Sequence, residues 1–230
     1  MDNSFCQLLQ TISEENLCRL IPPPPFTTFP NVDMTCVFEI PKHAVPDGLG
    51  VQYIFVGSYN LSLGNLDNND IAGVLNVAYD VNDDADLQVQ DGTFDGKPLF
   101  KRQLSKVGLV DGPENDMMTA VAALYMADQL LNFPTPQSQT DQGMVNIIAN
   151  GNLLIHCHDG GSRSVTITAL YIYYKFYAGS STNFEEVYRD IICYRWDKAS
   201  NHHPTVGICN TAFQVLNTFE QLFPIPKYKS

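Results

Sequence analysis

Basic residues are scarce in this 230-residue chain: 13 Lys and Arg stand against 25 Asp and Glu, a formal net charge of −12. That surplus repels nucleic acid, anionic membranes and acidic ligands at long range, so any phosphate site has to be a local basic pocket. Long apolar runs are missing as well. No stretch is long enough to cross a bilayer, and the opening residues, MDNSFCQLLQTISEENL, lack the basic start and unbroken apolar segment of a secretory signal. These absences predict a soluble, cytoplasmic protein, read as a monomer, with no nucleic-acid partner and no membrane insertion. Cys-x-x-Cys pairs are absent too. Cys6, Cys18, Cys36, Cys157, Cys193 and Cys209 lie far apart, which fits free thiols in a reducing compartment better than a disulfide framework or a zinc knuckle. His156 and His158 form His-x-His, but the pattern His-x-His-x-Asp-His of a metallohydrolase is not met, so neither a metal nor a cofactor is expected.

What is present is a chain 44% hydrophobic, enough to bury a substantial core. Residues 4–20 place apolar side chains at near-helical spacing, and 22-PPPPF-26 stops that helix. Residues 1–45 read as an N-terminal extension packing on the core, and 46–226 as the main domain. Strands are predicted at 51–58, 71–79, 106–110 and 153–157, and helices at 116–132, 165–178, 183–195 and 208–223. Their alternation predicts an α/β fold, a central mixed sheet covered by helices on both faces. Residues 82–98 and 134–143 are rich in turn formers and read as insertions or loops.

The chemistry concentrates in 153-LLIHCHDGGSRSVT-166. A phosphate cradle needs backbone N–H groups converging on one point, which arises when a strand runs through a tight glycine turn into a helix N-terminus. Here LLI is a short apolar strand, Gly160 and Gly161 supply the turn, and an apolar helix follows as far as Gly179. Cys157 ends the strand and Arg163 opens the helix. Convergent amides, the helix start and Arg163 would together stabilise a thiolate at Cys157, and the planar guanidinium would grip two phosphoryl oxygens. Cys-x5-Arg alone is a weak motif in a chain with six Cys and 13 basic residues. His156 before the Cys, Gly160 in the turn, Ser164 after the Arg and the strand-to-helix setting make it specific. The plain alternative for Cys157 is a buried structural thiol.

HCHDGGSRS resembles the active-site signature of the cysteine-dependent protein tyrosine phosphatase superfamily, and the surrounding chain is similar to its compact dual-specificity branch. The stretches 53-YIFVGSYNLS-62 and 71-IAGVLNVA-78 resemble that branch's opening strand and its buried Leu-Asn-Val strand. Downstream, 187-VYRDIICYRW-196 and Asn210 with Phe213 resemble its closing helices. The resemblance implies a phosphomonoester hydrolase: Cys157 as nucleophile, Arg163 holding the phosphoryl oxygens, Ser164 steadying the departing thiolate and His156 orienting the Cys from behind. His158, Asp159, Gly160, Gly161 and Ser162 would line the phosphate. The family also needs a general acid upstream, and 107-VGLVDGPEND-116 runs a strand into an Asp-Gly-Pro turn. Asp111 is the expected acid, with Glu114 and Asp116 as neighbours that could serve; Asp-Gly is also a common plain turn.

The implied partners are phosphorylated proteins bearing phosphotyrosine, phosphoserine or phosphothreonine, or a small phosphorylated substrate. A phosphoinositide or other non-protein phosphatase is the alternative, since an Asp-Gly at 159–160 also resembles the myotubularin cradle. A rhodanese-like sulfurtransferase and an inactive phosphate-binding module are the remaining readings. Asp159 raises an objection of its own, because a carboxylate facing the phosphate would oppose binding; the expectation is that it lies on the rim. The basic residues Lys97, Lys101, Arg102 and Lys106 read as a solvated face or as a run that steers phosphorylated substrate.

Overall fold

The computed structural model describes residues 33–44, 50–82, 87, 90–94, 97–100, 102–112, 115–132, 134–136, 146–148, 151–196 and 205–223. The expected helix at 4–20, its proline stop, Glu114 and the 137–145 part of the polar loop lie outside them.

Five strands form one sheet: β1 (Met34–Glu39), β2 (Tyr53–Gly57), β3 (Ile71–Ala78), β6 (Gln103–Leu109) and β9 (Asn152–His156). Their order is β1-β2-β9-β3-β6. Only β1 runs antiparallel to its neighbour; β2, β9, β3 and β6 are parallel. The centre is an apolar strand, NLLIH, whose Leu153, Leu154 and Ile155 are fully buried, as a strand with covered faces requires. The outermost strand, β1, comes from residues that the sequence assigned to the extension.

The helices are α1 (Leu63–Asn68), α2 (Met117–Asn132), α3 (Arg163–Ile172), α4 (Phe184–Trp196) and α5 (Val206–Thr218). The π-turn Tyr173–Tyr177 prolongs α3, and Gly179, at φ +83°, ends the rod. Helices α2 to α5 pack with Ile54, Val56, Leu75, Leu153 and Ile155 into the large core. A smaller cluster on Phe55, Val74 and Leu154 is closed by Leu66 of α1 and by Leu87. Alternate residues of β2 and β9 therefore feed opposite layers, which is the period-two signature of a strand.

Both polar stretches contain paired strands. Residues β4 (Gln90–Phe94) and β5 (Lys97–Phe100) pair antiparallel within and beyond the 82–98 stretch, and β7 (Pro134–Pro136) pairs with β8 (Asn146–Ile148). The second pair falls between α2 and β9 in the chain and forms its own sheet, outside the five-stranded one. Of the four basic residues singled out in the sequence, Lys101 lies outside the described residues, and Arg102 and Lys106 are tied into the fold. Arg102 is 1% exposed and ion-paired with Asp67, and Lys106 Nζ is bonded to the Val81 carbonyl and Asn82 Oδ1. Among the described residues no helix is long and apolar enough to cross a membrane.

Candidate active site

Four parallel strands end on one edge of the sheet, and their carboxyl ends carry the candidate residues. This is where ligands bind in open α/β sheets, because loops diverge there and leave a crevice. From β9 comes Cys157, from β3 comes Asp80, from β6 comes Asp111, and β2 leads to Tyr59.

The turn after β9 wraps around the Cys157 sulfur. Gly160 N donates to Cys157 Sγ at 3.3 Å, and Ser164 Oγ lies 3.2 Å from the same atom. Gly160 has φ +71°, and a Cβ there would come within 2.8 Å of the Gly57 carbonyl and of Arg195 Nη2. Glycine is therefore required twice over, by backbone conformation and by space. Helix α3 then starts at Arg163, with the Thr166 amide donating to the Ser162 carbonyl at 3.0 Å. Its free first-turn amides and dipole favour an anion at this point.

Arg163 is 3% exposed. Its Nη1 donates to Asp80 Oδ1 at 2.5 Å and to the Leu109 carbonyl at 3.1 Å, while its Nε is without a partner among the described residues. One corner of the fork is anchored and buried donor capacity is left over, as a bidentate anion grip needs. Burial acts to lower the Arg163 pKa, but the bond to Asp80 and nearby negative charge outweigh it and raise it. The same bond holds the Asp80 carboxyl below its ordinary value. Asp80 itself is set by Asn76, the Asn of the Leu-Asn-Val strand. Fully buried, Asn76 accepts from the Ala78 amide at 2.8 Å and donates to the Val81 carbonyl at 3.1 Å, shaping the loop between them.

Asp111 is brought to the cradle. Its Oδ1 accepts from Ser162 Oγ at 2.9 Å and from Thr205 Oγ1 at 3.0 Å, and Ser162 Oγ in turn accepts from the Thr205 amide at 3.1 Å. Asp116 is engaged elsewhere, its Oδ1 accepting from the Met118 amide at 2.9 Å at the start of α2. His156 is fully buried, with Nδ1 3.4 Å from the Cys157 carbonyl. Gly161 and Ser162 are buried in the turn. Asp159 points away from it: its side chain is 72% exposed and its Oδ1 lies 2.7 Å from His158 Nδ1.

Three contributors escaped the sequence reading. Asp80 and Thr205 gave no local signal, since each matters only through a partner distant in the chain. Arg195 did leave one. It falls on the buried stripe Tyr188, Ile191, Ile192, Arg195 of α4, where a cation is out of place. At 5% exposure its Nε donates to the Gly160 carbonyl at 3.3 Å and its Nη1 to Thr35 Oγ1 at 2.9 Å, tying the cradle to β1. Burial lowers its pKa to about 10, against the opposing pull of Cys157 and Asp33.

No family model matches the chain, and no curated protein matches it. Solved structures resemble it. A mouse putative dual specificity phosphatase shares 18% identity over 72% of this chain and 82% of its own, at a TM-score of 0.43. The Yvh1 phosphatase domain from Chaetomium thermophilum shares 15% over 72% and 90%, at 0.48. A leucine rich repeat and phosphatase domain containing protein from Entamoeba histolytica shares 13% over 84% and 96%, at 0.49.

Proposed function

We propose that this chain is a phosphomonoester hydrolase working through a cysteinyl-phosphate intermediate on phosphotyrosine, phosphoserine or phosphothreonine in proteins, and that it is a dual-specificity member of the cysteine-dependent phosphatases. The observation that carries the reading is the cradle: a sulfur receiving the Gly160 amide beside Ser164 Oγ, at the foot of a helix whose first residue is a buried, anchored arginine with donor capacity to spare.

In the first step the Cys157 thiolate attacks phosphorus, the S–P bond forms, and the P–O bond to the leaving group breaks. Arg163 and the turn amides follow the equatorial oxygens as charge develops on them. Asp111 gives its proton to the leaving oxygen. In the second step water attacks phosphorus, Asp111 takes the water's proton, and the S–P bond breaks. Ser164 Oγ, already at the sulfur, donates to the returning thiolate. His156, beneath the loop, holds the Cys157 backbone rather than touching substrate. Asp80 keeps the guanidinium in place.

The test is hydrolysis of a chromogenic aryl phosphate by wild type and by Cys157→Ser, with acid quench and mass spectrometry to trap phosphate on Cys157. Expected are turnover and a phosphocysteine in wild type and neither in the variant. Full activity in Cys157→Ser would sink the covalent mechanism, and sulfur transfer from thiosulfate to cyanide without phosphatase turnover would favour a sulfurtransferase.

A further inference from the structure

The loops leaving β2, β9, β3 and β6 stand side by side in that order, with adjacent strands about 4.8 Å apart. Along this edge they carry Tyr59, then His158 and Asp159, then Tyr79 and Asp80, then Val110 and Asp111. Three of the seven large hydrophobic side chains exposed among the described residues are here: Tyr59 at 43%, Tyr79 at 71% and Val110 at 46%. Tyr59 is fixed in place. Its amide donates to the His158 carbonyl at 3.0 Å, and its ring packs on the His158 imidazole with centroids 4.7 Å apart.

The charges on this edge are sorted. Arg163 belongs to the phosphate and is tied to Asp80. Its buried Nε has no partner among the described residues and is free to take an anion. Lys106 is bonded to the backbone of the loop after β3. Asp111 is held by two hydroxyls. Asp80, half exposed, is paired with Arg163, and Asp159, 72% exposed, faces solvent two residues from Cys157 with one oxygen at His158, on which the Tyr59 ring packs.

We propose that this edge makes the enzyme selective for a phosphopeptide carrying Lys or Arg one or two residues from the phosphorylated side chain. The reading rests on the phosphatase assignment above and deepens it. An extended peptide advances about 3.3 Å per residue, so a neighbour of the phosphoresidue in the cradle reaches the adjacent loop. There Asp159 pairs with the cation, and the exposed faces of Tyr59 and Tyr79 accept a guanidinium by cation–π contact. A substrate with acidic neighbours or further phosphates meets carboxylates in the same places, which rejects it.

The experiment measures kcat/KM for two phosphotyrosine peptides that differ only in Arg or Glu flanking the phosphoresidue, for a short-chain phosphoinositide, and for an aryl phosphate as reference. The Arg peptide is expected to exceed the Glu peptide on the order of tenfold at low salt, with the ratio shrinking as ionic strength rises. Asp159→Asn should bring the ratio to within about threefold of unity, and Tyr59→Ala should lower it part of the way. Both side chains are on the surface, so each variant is compared with its own aryl phosphate rate. Turnover of the aryl phosphate with equal use of both peptides overturns the selectivity and leaves the phosphatase reading standing. The same holds for a ratio that survives Asp159→Asn. A phosphoinositide used better than the Arg peptide overturns the selectivity and the protein substrate, and leaves phosphomonoester hydrolysis standing. Absence of turnover on every substrate overturns the phosphatase reading and the selectivity with it.

Discussion

Cys36 and Cys157 lie on, or just past, strands of the same sheet at 3% and 2% exposure, and their surroundings differ in kind. Cys36 packs with Met34, Phe55, Leu66, Ile71, Val74, Leu87 and Leu154, and burial pushes its thiol up to about 12. Cys157 sits where a strand gives way to a turn, and its sulfur has the Gly160 amide, Ser164 Oγ and two buried arginines about it. Equal burial therefore says nothing about reactivity. What separates an inert thiol from a nucleophile is whether burial comes with oriented donors and positive charge. One side chain links the two regions: Arg195 bonds both the Gly160 carbonyl and Thr35, the residue next to Cys36.

The sharpest test of that contrast is alkylation. Iodoacetate at pH 7 should modify Cys157 more than about 100-fold faster than Cys36, abolish turnover, and be slowed by inorganic phosphate. Peptide mapping of the labelled protein reads both rates at once. Comparable labelling of the two thiols in the folded protein would erase the distinction.

Next in size is the acid. Asp111→Ala should lower kcat by about 100-fold on an alkyl phosphate and much less on nitrophenyl phosphate, whose leaving group needs little protonation. Asp116→Ala should instead cost about 1 kcal/mol of stability through the lost cap on α2. A steady-state comparison on both substrates, beside urea melts, separates them. The reverse pattern would transfer the acid role to Asp116.

The Cys157 region was legible in the sequence because its parts are contiguous. A strand, a glycine turn, an arginine and a helix follow one another in 14 residues, 153 to 166. The surrounding strands could be read for the same reason, since Ile71–Ala78 and Asn152–His156 are short apolar runs bounded by polar residues. What could not be read depends on contacts far apart in the chain. Asp80 meets Arg163 across 83 residues, and Arg195 meets Thr35 across 160. Strand β1 hid among residues that follow a proline run, and it has one exposed face position, Glu39, to betray alternation. Asp159, an objection in the sequence, became a rim residue because the turn aims its amides inward and its side chain out.

Arg195 offers a way to weaken the contrast rather than abolish it. Its cation faces Cys157 together with Arg163, while Asp80, Asp111 and Asp159 supply negative charge around the same turn, with His156 and His158 beside it. Arg195→Met removes a cation beside the cradle and the bond to the Gly160 carbonyl, so kcat/KM should fall about tenfold at neutral pH. Arg195→Lys should recover part of the loss. A variant that melts earlier but keeps its kcat/KM would reduce Arg195 to packing.

The smallest effect concerns Cys36 and its pH sign. A thiol raised from 9.0 to about 12 by burial stays protonated in the folded chain while the unfolded chain ionises it. The unfolded state therefore binds fewer protons above pH 9, and folding stability falls as pH rises from about 9 towards 12. By pH 10 the loss from this one group is about 1.4 kcal/mol, one pH unit's worth. Arg195 works the other way as pH approaches about 10, and the buried Tyr171, Tyr174 and Tyr188 act in the same direction as Cys36 there, so the difference between wild type and Cys36→Ala is what isolates Cys36. Cys36→Ala should be less stable than wild type at pH 7 by about 1 kcal/mol, from the lost sulfur packing. That gap should close or invert by pH 10 in urea titrations, with aryl phosphate turnover at neutral pH within about twofold of wild type. Parallel stability curves between those two pH values would mean that the Cys36 thiol is not held in its protonated form by burial, and the chemical distance between the two cysteines would shrink accordingly.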